Sequence, residues 1–215
     1  MGIHVYTYDD PPSERDLGRA LRALADDGLL AFPNDENWAF GWDAASSKAA
    51  DKIRLLKPDH PKAMPFSLLC SSMSMAAEYA HIGTNAYRLL RRAWPGPYTV
   101  LLNTSHTFPR QLKDKRRVVG IRIPNCQMIR VLVEKLGRPL ATTSVPPLIP
   151  GSDDVPPIMR RFGYEVFEAY GHGIDILLDL GAELSGIEST IVDFTEDTPV
   201  IVRRGAGDPT LFGGA

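Results

Sequence analysis

Apolar residues fall three and four positions apart between Ser13 and Asp27, where Leu17, Leu21 and Leu24 share one face. That spacing predicts an amphipathic helix, with Ser13 placed to cap its start and Gly28 where a left-handed residue would end it. Leu29 to Pro33 is a short apolar strand running into the polar stretch Asn34 to Asn37, and Ala44 to Leu56 is the next helix, with Ile53 and Leu56 facing inward. Pro65 to Cys70 reads as a strand, Thr84 to Trp94 as a helix stopped by Pro95-Gly96, and Tyr98 to Leu102 as the strand after it. A strand at Val118 to Ile123 and a helix from Gln127 to Leu136, ended by Gly137, follow. Strands at Leu140 to Thr143, Ile174 to Asp179, Thr190 to Phe194 and Val200 to Arg203 complete the pattern. Alternating helices and strands of this kind predict an α/β layered domain.

Trp38, Phe40 and Trp42 alternate with smaller residues, which marks a half-buried strand more readily than an aromatic binding platform. Ser144 to Asp154 is the least regular stretch, rich in proline, and reads as a loop beside a site, since strands on both sides belong to one sheet. The final Phe212 to Ala215 reads as a frayed end. With 44% hydrophobic and 23% charged residues, the 215-residue chain can bury a sizeable core, most simply as a single domain spanning residues 1–215. A formal net charge of -2 excludes nucleic-acid binding by bulk positive charge and leaves only a local basic patch for such a role. The two cysteines, Cys70 and Cys126, and the lack of a leader or long apolar run point to a cytoplasmic protein without a membrane partner.

Familiar catalytic signatures are absent: no G-x-x-x-x-G-K-[ST] phosphate loop, no H-E-x-x-H, no C-x-x-C. The five histidines lack ligand spacing, so no metal site is expected, and no catalytic nucleophile stands out. The chain instead offers cations and hydroxyls at strand ends. Lys57, Lys62, Arg122 and Arg203 can neutralise phosphate oxygens, while Thr143, Ser144, Ser189 and Thr190 can donate hydrogen bonds to them. Phosphoryl and adenylyl transfer ask mainly for such positioning and charge stabilisation, with Mg2+ bridging the phosphates of ATP as substrate. Each residue has a plainer reading beside this one. A lone lysine is usually a solvated charge, Arg122 can be the polar face of its strand, opposite Ile121 and Ile123, and Ser189 with Thr190 can start a strand.

Six motifs in order carry a resemblance over most of the chain. They are Phe32-Pro33-Asn34-Asp35, Pro95-Gly96-Pro97-Tyr98-Thr99, Gly120-Ile121-Arg122-Ile123-Pro124, Ala141-Thr142-Thr143-Ser144, Gly186-Ile187-Glu188-Ser189-Thr190-Ile191-Val192-Asp193 and Val202-Arg203-Arg204-Gly205-Ala206. From about Leu29 to about Ala206 the chain resembles the YrdC/YciO family, whose enzymes make threonylcarbamoyl-adenylate for tRNA modification. Active members read Pro-Thr-Asp/Glu-Thr-x-Tyr-Gly-Leu-Gly where this chain reads Pro33-Asn34-Asp35-Glu36-Asn37-Trp38-Ala39-Phe40-Gly41. That segment lines the threonine pocket in the family, which makes Asn34, Glu36 and Trp38 the pocket candidates. The Lys-x-Arg motif falls at Lys57-Pro58-Asp59, or with a shift at Lys62-Ala63-Met64, and Ser-x-Asn falls at Ser144-Val145-Pro146, so the arginine and the asparagine are missing. The departures look like the YciO branch.

The resemblance implies a twisted open mixed β-sheet flanked by helices, with a deep concave electropositive face. Lys57, Lys62, Arg122, Arg203 and Arg204 would contribute to that face, helped by Lys113, Lys115, Arg116 and Arg117. It implies either an ATP-dependent synthase that condenses threonine, bicarbonate and ATP, or a non-catalytic module of the YciO type that binds RNA, tRNA or double-stranded RNA, through the same face.

Overall fold

The computed structural model describes residues 1–8, 11–59, 66–106, 108 and 116–213. Its ten strands are β1 (Ile3–Tyr6), β2 (Leu30–Asn34), β3 (Asn37–Asp43), β4 (Ser67–Leu69), β5 (Tyr98–Asn103), β6 (Val118–Arg122), β7 (Leu140–Ser144), β8 (Ile176–Asp179), β9 (Thr190–Asp193) and β10 (Val200–Arg203). Among the described residues six α-helices flank them: α1 (Glu14–Ala25), α2 (Ser47–Leu56), α3 (Met73–Tyr79), α4 (Thr84–Ala93), α5 (Gln127–Leu136) and α6 (Gly163–Tyr170). The strands form one open, mixed sheet in the order β1-β8-β2-β3-β7-β4-β6-β5-β9-β10. Pairs β1/β8, β8/β2, β4/β6 and β5/β9 are parallel and the other five antiparallel.

Strict alternation sorts the side chains onto two faces. Leu29, Ala31, Trp38, Phe40, Trp42, Leu68, Val100, Val119, Ile121, Ala141, Leu177 and Val192 point to one face, where they pack with Ala49 and Ile53 of α2, Ala76 and Tyr79 of α3 and Leu90 of α4. Val5, Leu30, Phe32, Leu140, Ile176 and Leu178 point to the other, beneath Leu17, Ala20 and Leu24 of α1 and Met128, Ile129, Leu132 and Val133 of α5. All seven residues of β3 are buried. The half-buried strand expected from its aromatic alternation is therefore corrected, because Ala39 on the opposite face is only 3% exposed as well.

Local chemistry explains most element ends. The Ser13 hydroxyl accepts from the Asp16 N–H at 3.2 Å, and Ser46 does the same for Ala49 at 3.0 Å, so α2 begins later than Ala44. Gly137, at φ 74°, closes α5. After α1 the left-handed residue is Asp27 (φ 57°), not Gly28. Gly28 serves close approach instead: a Cβ there would lie 2.5 Å from the Ala23 carbonyl oxygen. Phe212 is also unlike its expectation. It sits in a short 3-10 turn, 5% exposed, with its ring edge-on to Tyr98 and Phe194 at 5.6 and 5.7 Å, so aromatic packing anchors Phe212, while Gly214 and Ala215 of the expected frayed end lie outside the described residues. No helix among the described residues is long and apolar enough to cross a membrane.

Candidate functional site

Helices α1 and α5 cover only one half of their sheet face. Across the other half the same face carries Ala39, Thr142, Ser144, Ser67, Leu69, Arg122, Thr99, Leu101 and Ile191, and these line a cavity of about 300 Å³. Register makes this floor continuous: Ala39 lies opposite Ser144, Ser67 opposite Thr142, Leu69 opposite Arg122 and Thr99 opposite Ile191. Asn34, Asn37 and Trp38 close one end, and Glu188, Ser189 and Arg203 the other.

At the first end a tight hairpin holds the polar groups. Asn34 and Asn37 are paired across the β2–β3 turn, whose first residue, Asp35, is left-handed at φ 59°. The Asp35 carboxylate accepts from Arg122 Nη2 at 2.7 Å and from the Cys126 N–H at 2.8 Å, while Arg122 Nη2 also donates to the Asn34 carbonyl at 3.0 Å. Both charged side chains are more than nine-tenths buried. The pair therefore ties the hairpin to β6 and to the start of α5. Asn34 Oδ1, Asn37 Nδ2 and Arg122 Nε are buried with no hydrogen-bond partner among the described residues. The Asn37 amide orientation is set by its own Oδ1, which accepts from the Trp38 N–H at 2.8 Å, so an unpaired donor remains. All three residues, Asn34, Asn37 and Arg122, line the cavity, so unpaired polar atoms lie within its wall.

At the second end Arg203 is anchored along one edge. Its Nε and Nη2 donate to the Ser189 carbonyl at 3.1 and 2.8 Å, Nη2 reaches Ser189 Oγ at 3.3 Å, and Nη1 donates to Glu188 Oε2 at 2.7 Å. Ser189 Oγ also shares a 2.9 Å hydrogen bond with Thr99 Oγ1. A bulge in β10 sets the face: the register shifts between Ile201 and Arg203, so Arg203 and not Val202 lies opposite Ile191. Lys57 arrives from the end of α2, on the far side of the sheet, and its ammonium donates to Thr143 Oγ1 at 3.0 Å and to the Ser144 carbonyl at 2.8 Å. Burial pulls Lys57 below the usual lysine range, and the nearby Glu188 carboxylate partly offsets this.

The structure thus brings together Lys57, Arg122, Thr143, Ser144, Ser189, Arg203, Asn34 and Trp38 from the sequence candidates, and not the others. Thr190 is corrected: it is fully buried, its hydroxyl donates to the Gly207 carbonyl at 2.6 Å and accepts from the Gly205 N–H at 3.0 Å, so it braces the turn after β10. Glu36 does not line the cavity, and its carbonyl accepts from the Gly186 N–H at 2.8 Å. The Trp38 indole N–H is already given to the Arg161 carbonyl at 3.2 Å. Lys62, Lys113 and Lys115 lie outside the described residues, whereas Arg116 donates to the Phe66 carbonyl at 2.7 Å and lies 5.2 Å over the Phe108 ring. Asp59 is exposed beyond α2 and Pro146 follows β7, its carbonyl accepting from Arg160 at 3.1 Å.

Sequence reasoning missed Asn37 and Glu188. A two-residue turn would have placed Asn37 opposite Asn34, and Glu188 directly precedes Ser189 in its motif.

The sequence profile of the Sua5_yciO_yrdC family, described as telomere recombination, matches residues 22–205. The chain belongs to the Sua5/YciO/YrdC family. Within this family it is 29% identical over 213 residues to the uncharacterized protein YciO of Escherichia coli K12, covering 99% of this chain and 100% of the relative. The crystal structure of E. coli YciO superposes with a TM-score of 0.86 over 99% of this chain and 100% of that one. It is also 30% identical over 178 residues to a threonylcarbamoyl-AMP synthase of Pyrococcus abyssi, covering 82% of this chain but 50% of the synthase. The crystal structure of P. abyssi Sua5 complexed with L-threonine gives a TM-score of 0.76 at 28% identity, over 95% of this chain and 57% of that one.

Proposed function

We propose that the cleft binds a nucleotide together with a small amino acid, and that the chain is an ATP-dependent enzyme of the threonylcarbamoyl-AMP synthase type, serving N6-threonylcarbamoylation of tRNA adenosine. The observation that carries this reading is the convergence of Ser144, Ser189 and Arg203 on one cavity, with Lys57 bonded to Thr143 and Ser144 of its lining and unpaired polar atoms of Asn34 and Asn37 in the wall at its far end. The relation to a protein crystallised with L-threonine adds to it. In such a reaction threonine and bicarbonate give a carbamate with loss of water. A carbamate oxygen then attacks the α-phosphorus of ATP, and pyrophosphate leaves with Mg2+. No side-chain nucleophile is needed. The protein holds the reactants in line and offsets charge on the phosphoryl oxygens, the tasks for which Lys57 and Arg203 are suited.

A second reading, a non-catalytic RNA-binding module, draws on Asp59 and Pro146 at motif positions and on the pairing of both cleft arginines with carboxylates. Salt-sensitive binding of double-stranded RNA by a protein that does not bind ATP would select it.

Calorimetric titration with ATP and magnesium tests the first reading. Affinity should fall as pH rises through the Lys57 pKa, which burial sets below the usual 10.5, because only the protonated amine attracts phosphate. Lys57→Met should bind more weakly and lack that fall. Folded wild-type protein showing no binding at millimolar ATP would overturn the reading.

A further inference from the structure

Arg203 meets the cavity with one edge already occupied by a carboxylate of its own chain. Ser189 holds Nε and Nη2, whereas Nη1 faces Glu188 Oε2 at 2.7 Å, and the Glu188 side chain is 42% exposed. We propose that Glu188 is a specificity-determining residue that acts as a built-in competitor for the anionic ligand of the cleft and limits how much negative charge the site accepts. The inference rests on the nucleotide reading above.

Three observations support it. Among the described residues the charged ones lining the cavity are Arg122, Arg203 and Glu188, and Arg122 is neutralised by Asp35. The Glu188 field also reaches Lys57, so a single carboxylate weakens the pull of both cations suited to phosphate. Finally, the Arg203–Glu188 contact is partly solvated, and such a pair is easily exchanged for a ligand oxygen. Arg203 need not move when that happens, because the Ser189 carbonyl keeps the guanidinium plane fixed. A ligand phosphate must therefore displace Glu188 from Nη1 or accept its repulsion. Neutralising it while keeping an acceptor for Nη1 should strengthen anion binding without disturbing the fold.

The test is calorimetry of wild type, Glu188→Gln and Glu188→Asp with ATP and, separately, with inorganic pyrophosphate, each with and without magnesium. Glu188→Gln should bind both anions roughly tenfold more tightly, with the larger gain in the absence of magnesium, where ligand charge is greatest. Glu188→Asp, which keeps the charge, should show little gain, and Arg203→Ala placed in the Glu188→Gln background should remove it. Melting temperatures should stay close to wild type. If wild type binds ATP but Glu188→Gln binds it no more tightly, or more weakly with magnesium present, the carboxylate does not compete and the inference fails while the nucleotide reading stands. If neither protein binds ATP or pyrophosphate, the nucleotide reading itself fails and this inference with it.

Discussion

Asp35→Ala is expected to destabilise the protein by about 3–5 kcal/mol, the largest effect of any single substitution at the site. The cost has three sources. Arg122, at 8% side-chain exposure, would remain a buried charge without its counter-ion. The Cys126 N–H would lose its acceptor at the start of α5. The left-handed backbone at φ 59° would pass to a residue that disfavours it. Asp35→Asn should be milder, since asparagine tolerates that conformation and keeps an oxygen for one of the two donors. Urea unfolding of the three proteins measures this. A loss below about 1 kcal/mol for the alanine variant would mean that the pair is solvated and does not clamp the hairpin.

The second large effect concerns ligand affinity. Arg203→Ala should weaken ATP binding by about 1.5–3 kcal/mol, the loss of a charge-assisted contact, whereas Arg204→Ala should change it by well under 1 kcal/mol. The difference follows from the β10 bulge, which turns Arg203 toward Ile191 and the cavity while Arg204 is exposed beyond the strand end. Equal losses for both variants, read by calorimetry in proteins of matched stability, would contradict the placement of β10.

Much of this arrangement was legible because the sequence alternates cleanly. Arg122 between Ile121 and Ile123 had to leave the apolar face, and it does, onto the cavity floor. Leu17 and Leu24 of α1, and the stop of α5 at Gly137, likewise follow from spacing and backbone preference. Short elements carried too little pattern: β1 has four residues, α3 seven and α6 eight, and none was anticipated. For α6 the start depends on Glu165 accepting from the Arg161 and Phe162 N–H groups, a local signal hidden behind an aromatic cap position.

What the sequence could not reveal was pairing over distance. Nothing local says that Asp35 will neutralise Arg122, 87 residues away, or that Thr190 will spend its hydroxyl on the turn after β10. Simple alternation from Val200 would even have turned Arg203 to the apolar side, because the bulge that corrects it has no glycine or other marker in Ile201-Val202-Arg203. The cations of the cleft were visible as residues. Their compensation by Asp35 and Glu188 was visible only in three dimensions.

On the proposed function this cleft activates ATP toward a threonine-derived carbamate although the Lys-x-Arg arginine and the Ser-x-Asn asparagine are missing. The most direct test is incubation of the folded protein with ATP, magnesium, threonine and bicarbonate, following pyrophosphate and an AMP-linked product together. The expected result is slow pyrophosphate release that requires threonine, is lost in Arg203→Ala and rises when Asp59→Arg is combined with Pro146→Asn, which restore a phosphate-binding cation and a two-way hydrogen-bonding amide. Neither product from the folded wild type or from the restored variant, at saturating substrates, would contradict it.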